Sequence, residues 1–194
     1  MDENTVVFLD IDETLIRAVS PALPGSDQWE KAFTAELESL GVAKDTAWRV
    51  AVHLWQSLQH VLPTQPCEQP STAGAGTASA VALLQSKAAC VVGLTARHHD
   101  LLDRTLEQLA AAGIVLGQAK KPDTALYLPG GARDSELNEG EDWPVDWFKP
   151  NPILIRGGVV ACCGPRKSDA VQAYLQCALE GQVPAASPSG SEEG

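Results

Sequence analysis

Apolar positions along this chain fall into short continuous runs and helical stripes that alternate with polar turns. Val6 to Leu9, in the stretch VVFLDIDETL, is an apolar run rich in β-branched residues, the pattern of a strand covered on both faces. After a turn marked by Pro21, Pro24 and Gly25, a helix is predicted with Asp27 as its cap and Glu30 in its first turn. Trp29, Phe33, Leu37 and Leu40 form its apolar stripe, and Gly41 ends it. A second helix is predicted from about Asp45, with Trp48, Ala51, Trp55, Leu58 and Leu62 on one side, until Pro63 stops it. Residues 63–76 form a Pro/Gly-rich connector. Val81, Leu83 and Leu84 lie on a short helix leading to a strand from Ala89 to Leu94. Thr95 follows, then a helix carrying Leu101, Leu102, Leu106 and Leu109 and closed by Gly113, then a third short strand, Ile114 to Leu116. Residues 117–152 are irregular, although Ala125 to Leu128 can pair with a neighbour. Ile153 to Cys163, broken by Gly157 and Gly158, has the pattern of a hairpin. Gly164 and Pro165 open a last helix expected to bury Val171, Tyr174, Leu175, Ala178 and Leu179, before a low-complexity tail.

Strands separated by helices predict an α/β fold with a parallel, doubly wound, Rossmann-like sheet. Such sheets bind ligands beyond the carboxyl ends of their strands, which is where Asp10, Asp12 and Thr95 fall. The length of 194 residues suits one α/β domain with a modest insert. A formal net charge of -11 argues against nucleic acid or an anionic membrane surface as partner. No apolar run approaches a membrane span, and the start, MDENTVVF, lacks the basic region of a signal peptide. The five cysteines (Cys67, Cys90, Cys162, Cys163 and Cys177) are odd in number and show no CxxC spacing. Together these features predict a reduced, cytoplasmic protein.

The chemistry concentrates at the strand ends. An aspartate ending a buried strand suits covalent nucleophilic catalysis, because its carboxylate can accept a phosphoryl group as an acyl phosphate. A second carboxylate two residues on can pass a proton to the leaving group and later activate water. Two acids this close repel, so a divalent cation or a lysine is needed to keep the first ionised. Thr14 can hydrogen-bond locally and hold the turn that aims both acids. A strand followed by an ordinary acidic turn has the same pattern. In VVGLTAR, Val91 to Arg97, a second strand ends at Thr95. Its hydroxyl and nearby backbone N–H groups, Ala96 included, can bind phosphate or simply cap a helix, and Arg97 adds a bidentate fork for an anion. Lys167 stands in the first turn of the last helix, where the macrodipole disfavours a cation. It is either turned toward the aspartates or solvated.

Asp10-Ile11-Asp12-Glu13-Thr14, Leu94-Thr95 and Lys167 resemble the first three motifs of the haloacid dehalogenase superfamily of phosphohydrolases. The stretches GSDQWE, LWQSLQ and LLQSKAACVVGLTAR are similar to a branch of that superfamily classed as a domain of unknown function. The resemblance runs from about Val6 to Leu175. It implies Asp10 as nucleophile and magnesium ligand, and Asp12 as general acid/base with its main-chain carbonyl on the metal. It implies Thr95 and Lys167 as the groups that bind and neutralise the phosphoryl group. Residues 1–16 and 88–181 would form the core and 17–87 a small helical cap of the C1 type, with Trp29, Trp48 and Trp55 packing it. Residues 182–194 would be a disordered tail.

The superfamily's fourth motif, acidic residues ending a further strand, has no counterpart after Lys167. Asp169 comes too early, and Glu192 and Glu193 follow no apolar strand. The sheet is therefore expected to be incomplete on its C-terminal side, leaving Val6 to Leu9 as an edge open to self-association. The leading expectation is a Mg2+-dependent phosphatase of a small phosphorylated substrate, acting through an aspartyl-phosphate. The alternatives are a catalytically impaired binding module and a truncated fragment of such an enzyme.

Overall fold

The computed structural model describes residues 5–19, 27–67, 76–116, 126–128, 153–162 and 167–179. In chain order the elements are β1 (Val6–Asp10), β2 (Ile16–Ala18), α1 (Asp27–Ser39), α2 (Lys44–Gln59), β3 (Thr64–Pro66), α3 (Thr77–Gln85) and β4 (Cys90–Thr95). A 3-10 turn (His99–Leu101) then leads into α4 (Leu102–Ala111), followed by β5 (Leu126–Leu128), β6 (Ile153–Arg156), β7 (Val159–Ala161) and α5 (Lys167–Leu179). The expected tail, residues 182–194, and most of 117–152 lie outside the described residues.

Five strands form one sheet in the order β1-β4-β7-β6-β5, and β2 and β3 form a separate antiparallel pair. Strands β1, β4 and β7 run parallel, with Val6 opposite Cys90 and Thr95 opposite Ala161. The other half departs from the all-parallel expectation. Strands β6 and β7 make the anticipated hairpin, and β5 adds an antiparallel strand to it. A hairpin cannot be parallel, because its two strands are joined by a tight turn, here Gly157 and Gly158 at φ 59° and 75°. The fold is a mixed α/β sheet with helices. Ile114 to Leu116, expected as a third strand, pairs with no strand among the described residues. Ile114 and Leu116 are buried and Val115 is exposed, so the alternation reflects an extended segment packing on the core.

Side-chain parity divides the core. Val7 and Leu9 of β1, Val91 of β4 and Val159 and Ala161 of β7 face α3 and α4, meeting Val81, Leu102 and Leu109. Val6 and Phe8, Val92 and Leu94, and Val160 face α5, meeting Ala170, Tyr174 and Cys177. Phe8 and Tyr174 make an edge-to-face pair with centroids 5.4 Å apart. The buried stripe of α5 thus runs through Ala170, Tyr174 and Cys177. Leu175 and Ala178, expected inside, are exposed. Glycine at position 93 of β4 lets the core close in, since a Cβ there would stand 2.6 Å from Leu116 Cδ1 and 3.1 Å from Ile11 Cδ1 and would force those side chains to shift.

Helices α1 and α2 are enclosed between β2 and β3. They pack on each other, and on α1 Trp29 stacks on Phe33 at 5.1 Å. The inner face of α2 buries two amides, Gln56 and Gln59, beside Ala47 and Ala51. No described helix is long and apolar enough to cross a membrane.

Candidate functional site

The parity of β1 sets the first contact. Asp10 follows Val6 and Phe8 onto the α5 side of the sheet, and there Lys167 opens α5. Lys167 Nζ lies 2.6 Å from Asp10 Oδ1, the oxygen that also accepts a hydrogen bond from Ile11 N at 2.9 Å. The two side chains are 41% and 45% exposed, so solvent screens the pair and it adds little to stability. A lysine in the first turn of a helix opposes the macrodipole. Its position is better explained by the aspartate it faces than by folding.

Beyond β1 the chain turns sharply. The Ile11 carbonyl accepts from the backbone N–H groups of Leu15 and Ile16 at 2.9 and 3.1 Å, and Glu13 N donates to Ile16 O at 2.9 Å. Among the described residues Glu13 alone, apart from glycines, has a positive φ, at 57°. A side chain in the left-handed region is strained, and such strain persists where the surroundings over-determine it. Backbone bonds hold this turn. The Thr14 side chain, expected to hold it, is exposed and makes no hydrogen bond to another described residue.

The turn brings Asp12 against the end of β4, where Thr95 is fully buried. Thr95 Oγ1 donates to Asp12 Oδ2 at 3.3 Å and accepts from Arg97 N at 3.1 Å. Arg97 does not present its fork to solvent. It is 1% exposed, and its Nη2 donates to Asp12 Oδ1 at 2.7 Å. Its Nε lies 3.2 and 3.1 Å from Oδ1 and Oδ2, so the guanidinium grips both oxygens. Its Nη1 donates to Thr105 Oγ1 at 3.0 Å and Gln108 Oε1 at 2.5 Å, both on α4. Gln108 Nε2 in turn donates to the Leu62 and Gln59 carbonyls at 3.1 and 3.4 Å, at the end of α2. Ala96 lies exposed between Thr95 and Arg97.

The anticipated residues therefore form a pair and a trio at the carboxyl ends of β1 and β4, Asp10 with Lys167 and Asp12 with Thr95 and Arg97. Thr105 and Gln108 were not anticipated. They lie on the buried face of α4 beside Leu102 and Leu109, and two polar residues within an apolar helical stripe were the available signal. The donor set can be tested against a hard cation, which prefers oxygen ligands and, for magnesium, retains several waters. The exposed Asp10 has its Oδ1 engaged by two donors, and its second oxygen has no partner among the described residues. The Asp12 carboxylate is held by Arg97. Asp10 thus has one carboxylate oxygen left to offer such a cation, whereas both oxygens of Asp12 are engaged by Arg97.

A second group adjoins the site. In RHHD, Arg97 to Asp100, the Asp100 carboxylate lies 3.0 Å from His98 Nδ1 and 3.2 Å from His99 Nε2, and the two rings are 4.0 Å apart. The candidate ligand atoms of His98, His99 and Asp100 lie within 4.8 Å of one another, close enough to surround a metal ion. Burial, followed by the neighbouring His99, lowers the pKa of His98, against the opposing pull of Asp100. Burial, with Glu13 nearby, raises the pKa of Cys67, which keeps this thiol protonated and a poor nucleophile. No disulfide joins the described cysteines.

The family described as a protein of unknown function (DUF2608) matches residues 1–175, and the chain belongs to it. This corrects the assignment to the haloacid dehalogenase superfamily. That resemblance was carried by short motifs and stretches between about Val6 and Leu175, and the family that matches over 1–175 is one of unknown function. No curated protein and no solved structure matches the chain.

Proposed function

We propose that this chain is a magnesium-dependent phosphohydrolase that passes the phosphoryl group of a small substrate through an aspartyl-phosphate at Asp10. One observation carries the proposal: an exposed strand-end carboxylate has a lysine 2.6 Å away at a helix position that folding alone disfavours. Lysine offsets the negative charge of an incoming phosphate beside the carboxylate. In the first step an Asp10 oxygen forms a bond to phosphorus, and the bond from phosphorus to the substrate oxygen breaks. In the second, water attacks phosphorus and Asp10 is released with inorganic phosphate. Asp12 is the adjacent carboxylate through which a proton would pass. The Ala96 N–H and Lys167 are the groups on hand to bind the phosphoryl oxygens. Bound magnesium would screen charge between substrate and carboxylate. The parallel strands form a Rossmann-like core in this reading, and α1 and α2 form the cap that selects the substrate. The protein is cytoplasmic and acts on neither nucleic acid nor membranes.

The grip of Arg97 on both Asp12 oxygens favours a second reading, a module that binds phosphate without turnover. Release of 4-nitrophenol from its phosphate by the purified chain with Mg2+ separates the two. Slow hydrolysis is expected, lost in Asp10→Asn, which keeps the shape and removes the nucleophile. Turnover that survives this substitution or persists fully in chelator would overturn the proposal, and phosphate binding without turnover would support the second reading.

A further inference from the structure

The turn that leads from β4 into α4 carries a histidine pair that the phosphate chemistry does not use. His98 is extended, at φ -61° and ψ 149°, and His99 opens the 3-10 turn. That change of backbone sets two consecutive rings side by side, with centroids 4.0 Å apart and planes tilted by 35°. Asp100 folds its carboxylate against both, with Oδ2 3.0 Å from His98 Nδ1 and Oδ1 3.2 Å from His99 Nε2. Hydrogen bonds alone explain this arrangement poorly. His98 Nδ1 accepts from Asp100 N, so it presents a lone pair, and that lone pair stands beside a carboxylate oxygen. A cation shared by the two atoms makes the contact favourable. His99 Nδ1 is buried and has no hydrogen-bond partner among the described residues, a state that costs free energy. Coordination is a bond that an orphaned imidazole nitrogen can make without a proton donor.

The geometry points to a binding site for one divalent transition-metal ion of the zinc class, held by His98, His99 and Asp100. This site is separate from the chemistry proposed at Asp10 and does not rest on it. The candidate ligand atoms all lie within 4.8 Å of one another. Zinc bonds of about 2.0–2.2 Å in a tetrahedron place neighbouring ligand atoms about 3.3 Å apart, close to the two separations from the Asp100 carboxylate. Two imidazoles with one carboxylate make a nitrogen-rich set that suits zinc, whereas magnesium selects oxygen. His98 is buried while the Asp100 side chain is 62% exposed, so the site is walled on one side and open on the other. Three protein ligands, with the fourth position left to water, is the arrangement that such an opening allows. The ion would pin the 3-10 turn, and with it the segment that follows Arg97.

Calorimetric titration of the untagged full chain with Zn2+, in excess Mg2+, tests the site, and Co2+ serves as a spectroscopic stand-in. One equivalent is expected to bind, with Co2+ giving visible ligand-field bands and no thiolate charge-transfer band. Affinity is expected to fall by at least about tenfold in Asp100→Ala and in His99→Gln, since removing even an outer partner of a metal site costs that much. Asp10→Asn, which removes the strand-end carboxylate, is expected to leave Zn2+ binding unchanged. Should His99→Gln fail to fold, the variant at the exposed Asp100 decides. Binding that is lost in Asp10→Asn and kept in Asp100→Ala would place the ion at the strand end and overturn the proposal. A thiolate band would assign the ion to cysteines and overturn it equally. So would the absence of binding at millimolar Zn2+, or an affinity unchanged in folded Asp100→Ala.

Discussion

His98 shows how a single position beside the site ties stability to pH. Its side chain is buried, and its Nδ1 both accepts a hydrogen bond from Asp100 N at 3.3 Å and lies 3.0 Å from the Asp100 carboxylate. Burial and His99 outweigh Asp100, so the folded pKa lies below the ordinary 6.5. The folded chain therefore favours neutral His98, and below pH 6.5 the unfolded chain binds the extra proton. Stability is expected to be full above that pH and to decline as pH falls through it toward the folded value. The slope from one such group is at most about 1.4 kcal/mol per pH unit. Urea midpoints between pH 7.5 and 5.5 check this, with His98→Asn expected to flatten the dependence. A wild-type midpoint that rises on acidification would contradict it.

At the scale of the element, β4 carries both core and site. Its parity sends Val91, Gly93 and Thr95 toward α3 and α4, and a Cβ at the middle position would press on the Leu116 and Ile11 side chains. Gly93→Ala is expected to destabilise the protein by roughly 1–3 kcal/mol, the usual range for overpacking a close-packed core, read as a lowered Tm. The relief available is limited to shifts of the Leu116 and Ile11 side chains. Strands β1 and β4 were legible in the sequence because each is a short β-branched run covered on both faces. The pairing of β6 with β7 was legible from its two glycines. The antiparallel half of the sheet was not, since continuous apolar runs state that a strand is buried but not which way its neighbour runs. For the site, Asp10, Asp12, Thr95 and Lys167 were legible as residue types at element ends. The destination of Arg97 was not, because its partners Thr105 and Gln108 are recognisable only once α4 is seen to turn them inward.

For the whole molecule, the sheet order sets β1 at one margin, with β4 as its only partner among the described residues. An unpaired strand edge is a template for another chain. The protein is expected to self-associate as its concentration rises, measured by light scattering over a dilution series. A monodisperse monomer at every concentration would show that the margin is covered. The hydrogen-bonded path of the site runs from the carbonyls at the end of α2 through Gln108 and Arg97 to Asp12. Two separate stretches of chain are thereby yoked. Displacing the end of α2 forfeits acceptors for the Gln108 amide, each such bond being worth about 1 kcal/mol. It also loosens the amide that anchors the guanidinium. Thermodynamic reciprocity requires the reverse as well: a ligand that draws Asp12 away from Arg97 weakens the seat of α2 by the same free energy. Docking of that helix and occupancy of the carboxylate are therefore one equilibrium viewed from opposite ends.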